Sequence, residues 1–156
     1  MAIAFRILRD FDHADDAVQA AMVTAWREIR ALRDPALFEP WLHRILTHAC
    51  YAEARRRRRW SEEIRLLKVE PVHGSDPYLN VDNRDLLERA FQRLTVEQRA
   101  VLVFHHYLGL PLPEVAQRIG IPLGTVKSRM HHAKQALRAS LEADARASAT
   151  PQERIG

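Results

Sequence analysis

Cysteine is almost missing from this chain of 156 residues: Cys50 stands alone, so no internal disulfide can form and a reducing compartment is the simpler setting. Glycine is scarce, at 5 residues, and β-branched residues do not gather into runs, which argues against a sheet-rich fold. No apolar run approaches the roughly 18 residues that a membrane span needs. Met1 to Asp16 holds no short apolar core with a small-residue cleavage site after it, so neither membrane insertion nor export is expected, and a cytoplasmic location follows. Lysine is also rare. Of 24 basic residues 21 are arginine and only Lys68, Lys127 and Lys134 are lysine, a bias that leans toward phosphate recognition.

Catalytic signatures are lacking too. The histidine pairs His105-His106 and His131-His132 are adjacent, about 100° apart on a helix, and so are not a chelating i, i+4 arrangement. With one cysteine there is no zinc cluster. No glycine-rich phosphate loop, nucleophile elbow or paired-carboxylate constellation stands out, and Asp15-Asp16 is better explained as a helix start. The expectation is a protein that is not an enzyme and carries no metal or cofactor.

What is present is charge, unevenly placed. The net charge of +4 divides into +3 over residues 1–60, −3 over 61–82, +4 over 83–142 and zero in the tail 143–156. The acidic stretch also holds Pro71, Gly74, Ser75 and Pro77, with Asn80 and Asn83 close by, and reads as a linker. The expected fold is all-α: two small helical domains, 1–60 and 83–142, joined by a flexible acidic linker.

In the first, Ala17, Val18, Ala21, Met22, Ala25, Trp26 and Ile29 recur at helical spacing behind Asp12, Asp15 and Asp16. Asp34-Pro35 breaks that helix. A second runs from about Trp41 through Leu42, Ile45, Leu46, Ala49 and Ala52 into the five arginines Arg55–Arg59. Those arginines fit either a solvated helix end, where cations suit the dipole, or a strip that tracks nucleic-acid phosphates. Trp26 and Trp41 fall on apolar stripes and read as core.

In the second, Leu86, Leu87, Ala90, Phe91 and Leu94 mark a helix, and Thr95-Val96-Glu97-Gln98 is a capping-box pattern. The next helix presents Val101, Leu102, His105 and Leu108 and stops at Gly109. A short helix with Val115, Ala116 and Ile119 ends at Gly120, and a longer one runs through Val126, Met130, Ala133 and Leu137 to about Leu141. Small Ala116, turn-forming Gly120 and buried Val126 have the spacing of a helix-turn-helix, giving a four-helix domain. A helical hairpin without a DNA role is the alternative. The last helix begins with Leu123, Gly124, Thr125, Lys127, Ser128 and Arg129, followed by His131, His132 and Lys134, short or cationic side chains suited to groove and phosphate contact.

Three segments resemble a bacterial RNA polymerase sigma factor of the extracytoplasmic-function (ECF) type: Asp16-Ala17-Val18-Gln19 with Ala25-Trp26, then Phe38-Glu39-Pro40-Trp41-Leu42-His43-Arg44-Ile45, then Gly120 through Arg129. The resemblance covers about residues 5–142. It implies a promoter-specificity subunit that binds core RNA polymerase through Asp16, Gln19, Met22 and Val23. It further implies that Arg33, Phe38, Arg44, Thr47, His48, Arg55, Arg56 and Arg57 meet the −10 element and help open DNA. Leu123, Gly124, Thr125, Lys127, Ser128, Arg129, His132 and Lys134 would meet the −35 element. Many such factors are held inactive by an anti-sigma protein, a further expected partner.

The chain departs from the family pattern at Ala20, where Glu is usual, at Thr24, where Arg is usual, at His48, often Asn, and at Ala52, often Asp. These departures imply a lost clamp contact and an unusual −10 preference. The family also has an amphipathic helix ahead of the one in which this chain begins, so the stripe of Val18, Met22 and Trp26 is expected to be partly uncovered. Two other readings stand beside this one: a stand-alone helix-turn-helix regulator acting as a dimer, and an interaction protein that binds no DNA. Polymerase binding separates the first pair, and DNA affinity that falls steeply with salt excludes the last. An isolated fragment of residues 1–60 is expected to be poorly stable and to show no cooperative thermal transition by circular dichroism.

Overall fold

A computed structural model describes residues 1–66 and 83–148, and every regular element among them is helical. Helix α1 spans Ala2–Leu8 and ends where Arg9 adopts a left-handed conformation, φ 59°, with its N–H donating to the Phe5 carbonyl at 2.7 Å. The chain reverses there. Asp10 caps α2, Phe11–Glu28, by accepting from the His13 N–H at 3.1 Å, so Asp12, Asp15 and Asp16 lie inside the helix rather than ahead of it.

The apolar stripe of α2 splits in two. Ala14, Ala17, Ala21 and Ala25 are buried, and side chains this small let α2 approach α3 closely. The larger residues one position on are turned by about 100° and face outward. Met22 is 57% and Trp26 80% exposed, which corrects the assignment of Trp26 to the core and bears out the expected uncovering of the stripe. Trp41 is half-buried, its ring 5.9 Å from that of Phe38.

A one-turn segment Pro35–Leu37 follows, capped by Asp34, which accepts from the Ala36 N–H at 2.9 Å. Helix α3 then runs over Phe38–Leu66. It starts three residues earlier than its sequence pattern indicates and passes through the arginines into residues read as linker. Arginine is a good helix former and needs no apolar face to continue a helix. The rest of that linker, 67–82 with Pro71, Gly74, Ser75 and Pro77, lies outside the described residues, as does the end of the tail, 149–156.

Helix α4, Asn83–Gln92, leads to the capping box: the Gln98 N–H donates to Thr95 Oγ1 at 3.2 Å and the Thr95 N–H to Gln98 Oε1 at 3.0 Å. Helix α5, Val96–Leu102, widens into a π-turn over Val103–Tyr107 and stops before Gly109, φ 69°. Helix α6, Leu112–Ile119, ends at Gly120, φ 77°, whose N–H donates to the Ala116 carbonyl at 2.9 Å. Helix α7, Leu123–Ser148, is seven residues longer than the reading to Leu141.

The modules are not separate bodies. Helix α3 packs on α2 along one side and on α5 and α6 along another, while α1 also touches α5. One apolar cluster runs through Ala4, Ile7 and Cys50 of the first module and Val101, Phe104, Val115, Ile119, Val126 and Met130 of the second. Phe104 is the largest fully buried side chain among the described residues, and the half-buried ring of His43 stands edge-on to it at 5.3 Å. Burial also pushes the Cys50 thiol up to about 12, leaving it an inert core group.

All three tryptophans, Trp26, Trp41 and Trp60, belong to the first module. Phe104→Ala, in the second, should cost about 3–5 kcal/mol and lower the urea midpoint read from tryptophan fluorescence. An unchanged fluorescence midpoint would show that the two modules unfold independently.

Candidate polymerase and nucleic-acid interface

The residues expected to bind polymerase lie together on the outer side of α2. Asp16, Gln19, Met22 and Val23 are all exposed, with the Gln19 amide donating to Asp15 at 2.9 Å. Met22, Val23 and Trp26 form an apolar patch edged by these polar groups, the composition of a docking surface. Asp16 is less available than its exposure suggests, because Arg56 donates to it at 2.7 Å across the α2–α3 packing.

That contact belongs to a network. Arg56 also donates to Glu53 at 2.8 and 2.9 Å, and His13 Nδ1 approaches the same carboxylate at 2.6 Å. Burial pushes the Glu53 carboxyl up, but the hydrogen bonds from Arg56 and His13 outweigh it and hold the group below its ordinary value. His13, Asp16 and Glu53 could together present three ligand atoms within 4.8 Å of one another. Arg56 already bonds to both carboxylates, so the arrangement acts as an ion-pair link between α2 and α3.

The expected −10 set is spread along α3 and the turn before it. Arg33, Phe38, Arg44, His48, Arg55 and Arg57 are exposed, while Arg56 is committed to the network above. Thr47 is a correction. While the modules are docked it is fully buried and its hydroxyl donates to the His43 carbonyl of its own helix at 2.8 Å, so in this arrangement it supports packing and presents nothing to a nucleic acid.

The expected −35 set clusters on the first turns of α7. Gly124, Lys127, Ser128, His132 and Lys134 are exposed, and Leu123, Thr125 and Arg129 are half-buried. Gly124 has open space around it, where a backbone could approach closely. The turn at Gly120 and fully buried Val126 hold α6 and α7 in helix-turn-helix geometry.

The two candidate DNA faces touch. The Arg44 side chain lies against Gly120, His48 Nε2 donates to the Ile119 carbonyl at 3.3 Å, and Arg129 reaches the Tyr51 hydroxyl at 3.5 Å. Arg118 donates to Glu39 at 2.6 Å and to His43 Nδ1 at 3.0 Å. Sequence reasoning passed over Tyr51, Arg118 and His43, because nothing in a single chain's pattern reports a contact between residues 75 or more positions apart. The hydrogen bond from Arg118 draws the Glu39 carboxyl down. Burial first, then the Arg118 charge, draws His43 down, in keeping with a neutral ring whose Nδ1 accepts.

Two family descriptions match the chain: Sigma-70 region 2 over residues 1–60, and Sigma-70, region 4 over residues 84–137. Among curated proteins, the chain is 37% identical over 129 residues to the ECF RNA polymerase sigma factor SigM of Mycobacterium tuberculosis, covering 83% of this chain and 64% of that protein. It is 31% identical over 143 residues to SigL of the same organism, covering 89% of this chain and 80% of SigL. It spans just over half, 54%, of the ECF sigma factor SigE of Mycolicibacterium smegmatis, at 32% identity. Among solved structures it is similar to the sigma factor RpoE in complex with the anti-sigma factor NepR from Bartonella quintana, with TM-score 0.66, 26% identity and coverage of 92% of this chain and 89% of that one. It is also similar to CnrH in complex with the cytosolic domain of CnrY, with TM-score 0.59, 26% identity and coverage of 91% and 79%.

The contact between the faces carries a pH dependence. Docking holds His43 below its ordinary 6.5, so its contribution is complete above that value and is lost as pH falls through the lowered one. Glu39, held below 4.5, contributes above that value and fails further into the acid range. The two modules should therefore loosen on acidification below about pH 6.5. Energy transfer between dyes on the two modules is expected to fall over that range, and His43→Gln should abolish the upper part of the transition.

Proposed function

Because the chain belongs to the extracytoplasmic-function family of RNA polymerase sigma factors, we propose that it is a promoter-specificity subunit. It binds core RNA polymerase, recognises the −35 and −10 elements and helps open the DNA. One observation carries the reading: a helix-turn-helix with an exposed Lys127 and Ser128 at the head of its second helix shares a chain with a helix that carries five adjacent arginines. A stand-alone dimeric regulator would have no use for the second of these, nor for the match to Sigma-70 region 2 over residues 1–60.

In this reading residues 1–60 are the polymerase and −10 module, 83–142 the −35 module, and 61–82 the connection between them. Met22 and Val23 dock apolar surface on the polymerase, with Asp16 and Gln19 at the edge. Arg33, Phe38, Arg44 and His48 follow the −10 strand, and Arg55 and Arg57 neutralise its phosphates. Leu123, Gly124, Thr125, Lys127, Ser128 and Arg129 face the −35 major groove, with His132 and Lys134 beside it.

Promoter engagement needs the chain to open. Arg44, His48 and Arg129 cannot contact DNA at two elements some 25 base pairs, or about 85 Å, apart while they are in contact with the other module. Likeness to a sigma factor solved with an anti-sigma factor, and to CnrH solved with the cytosolic domain of CnrY, supports a regulatory protein as a further partner. Among the described residues no helix is long and apolar enough to cross a membrane, and transcription places the chain's work in the cytoplasm.

Run-off transcription with core polymerase on a promoter library is the test. The chain should co-elute with core enzyme and direct initiation from a subset of promoters, and Lys127→Ala should weaken −35 binding about tenfold while lowering the salt slope by about one ion. A folded chain that neither co-elutes with core polymerase nor directs transcription would reject the assignment.

A further inference from the structure

Between the arginine-rich part of α3 and the start of α5 lies a cavity of about 510 Å3, walled by Arg55, Arg57 and Arg58 on one side and by Glu97 and Arg99 on the other. The lining carboxylates do not balance these cations. Glu53, also on the wall, is taken up by Arg56 and His13. Arg57 reaches Asp10 at 3.5 Å, whereas Arg55 and Arg58 have no hydrogen bond or ion pair with a described residue.

Arg99 stands out. Its NH1 donates to the Gln92 carbonyl at 3.4 Å, but its Nε is buried without a hydrogen-bond partner. Burial, and then the charges of Arg9 and Arg57, push its pKa down to about 10 against the smaller opposing pull of the Glu97 carboxylate, which leaves it cationic at neutral pH. A guanidinium kept charged in a recess among other guanidinium groups is destabilising unless an anion compensates it. Guanidinium pairs with phosphate oxygens in a two-pronged, charge-assisted geometry. The cavity volume falls within the roughly 300–1,000 Å3 of small-molecule sites, and packed helices on both sides favour a compact anion over a nucleic-acid strand.

We propose that this cavity binds a small polyanion of the diphosphate class, held between Arg58 and Arg57 of α3 and Arg99 of α5. Its walls come from both modules, so the bound anion ties α3 to α5 and favours the docked arrangement. The diphosphate can be inorganic or carried on a nucleoside.

Calorimetric titration of the full chain at low salt, with inorganic pyrophosphate in one arm and ADP in the other, tests this. One site per chain is expected. Affinity should fall at least about tenfold in Arg99→Gln and in Arg58→Gln and stay unchanged in Arg138→Gln, on the exposed side of α7. Arg58 is exposed, so its variant keeps the test valid if Arg99→Gln does not fold. Tighter binding of ADP by about tenfold or more identifies a nucleotide as the source, and equal or weaker binding the inorganic anion. The proposal is overturned if neither ligand binds up to about 10 mM, or if Arg58→Gln leaves affinity unchanged. It is equally overturned if single-stranded DNA binds through Arg58 and Arg99 and pyrophosphate fails to displace it.

Discussion

Phe104, fully buried, meets the edge of His43 at 5.3 Å, and around that contact α3 is packed between α2 and the second module. Each module is too small to close a deep core alone, because surface outruns volume at this size. Sharing α3 solves this. Its one side accepts the alanine stripe of α2 and another accepts Phe104 and the α5–α6 corner, so a single apolar cluster serves both. The polar contacts at the rim follow from that packing. Glu39 keeps 69% of its side chain exposed while paired to Arg118, and such pairs add register more than stability.

The same packing decides which charges are available. Arginines that would spread around a solvated helix are sorted by it: Arg56 is drawn into the link with Glu53 and Asp16, Arg57 leans on Asp10, and Arg55 and Arg58 pair with none of the described residues. The basic run is therefore neither a plain solvated helix end nor a uniform strip for phosphates. Its members have different partners because α2 and α5 approach it from different directions.

Local signals in the sequence carried much of the fold. The capping box at Thr95 and Gln98, the positive φ at Gly109 and Gly120, and the buried Val126 are all dictated by neighbours a few residues away, and the structure has each of them. Periodicity was ambiguous on α2, where alanines and larger apolar residues alternate around nearly half the helix. Burial went to the alanines because close helix approach outweighs the larger area that Trp26 would bury. Thr47, on the same helix as Arg44 and His48, is also in the interior, its hydroxyl turned back to the His43 carbonyl. Docking between residues as far apart as Glu39 and Arg118 leaves no periodic trace in one chain, so the covered face could not be read in advance.

Opening the chain is a different problem from breaking its ion pairs. Separating α3 from α5 and α6 uncovers apolar surface around Phe104, whose transfer to water is unfavourable in proportion to its area. Water and promoter phosphates, being polar, do not replace that burial. A partner able to open the chain must therefore offer apolar surface or hold the two modules apart through separate contacts. The exposed patch of Met22, Val23 and Trp26 lies on α2, away from the docked face, and can engage such a partner while the modules are still closed. If the chain works as proposed, capture through α2 first and separation second would let DNA contacts at Arg44, His48 and Arg129 form only after a partner has been bound. On the proposed function, the packing that stabilises the chain would thereby make promoter binding conditional on assembly.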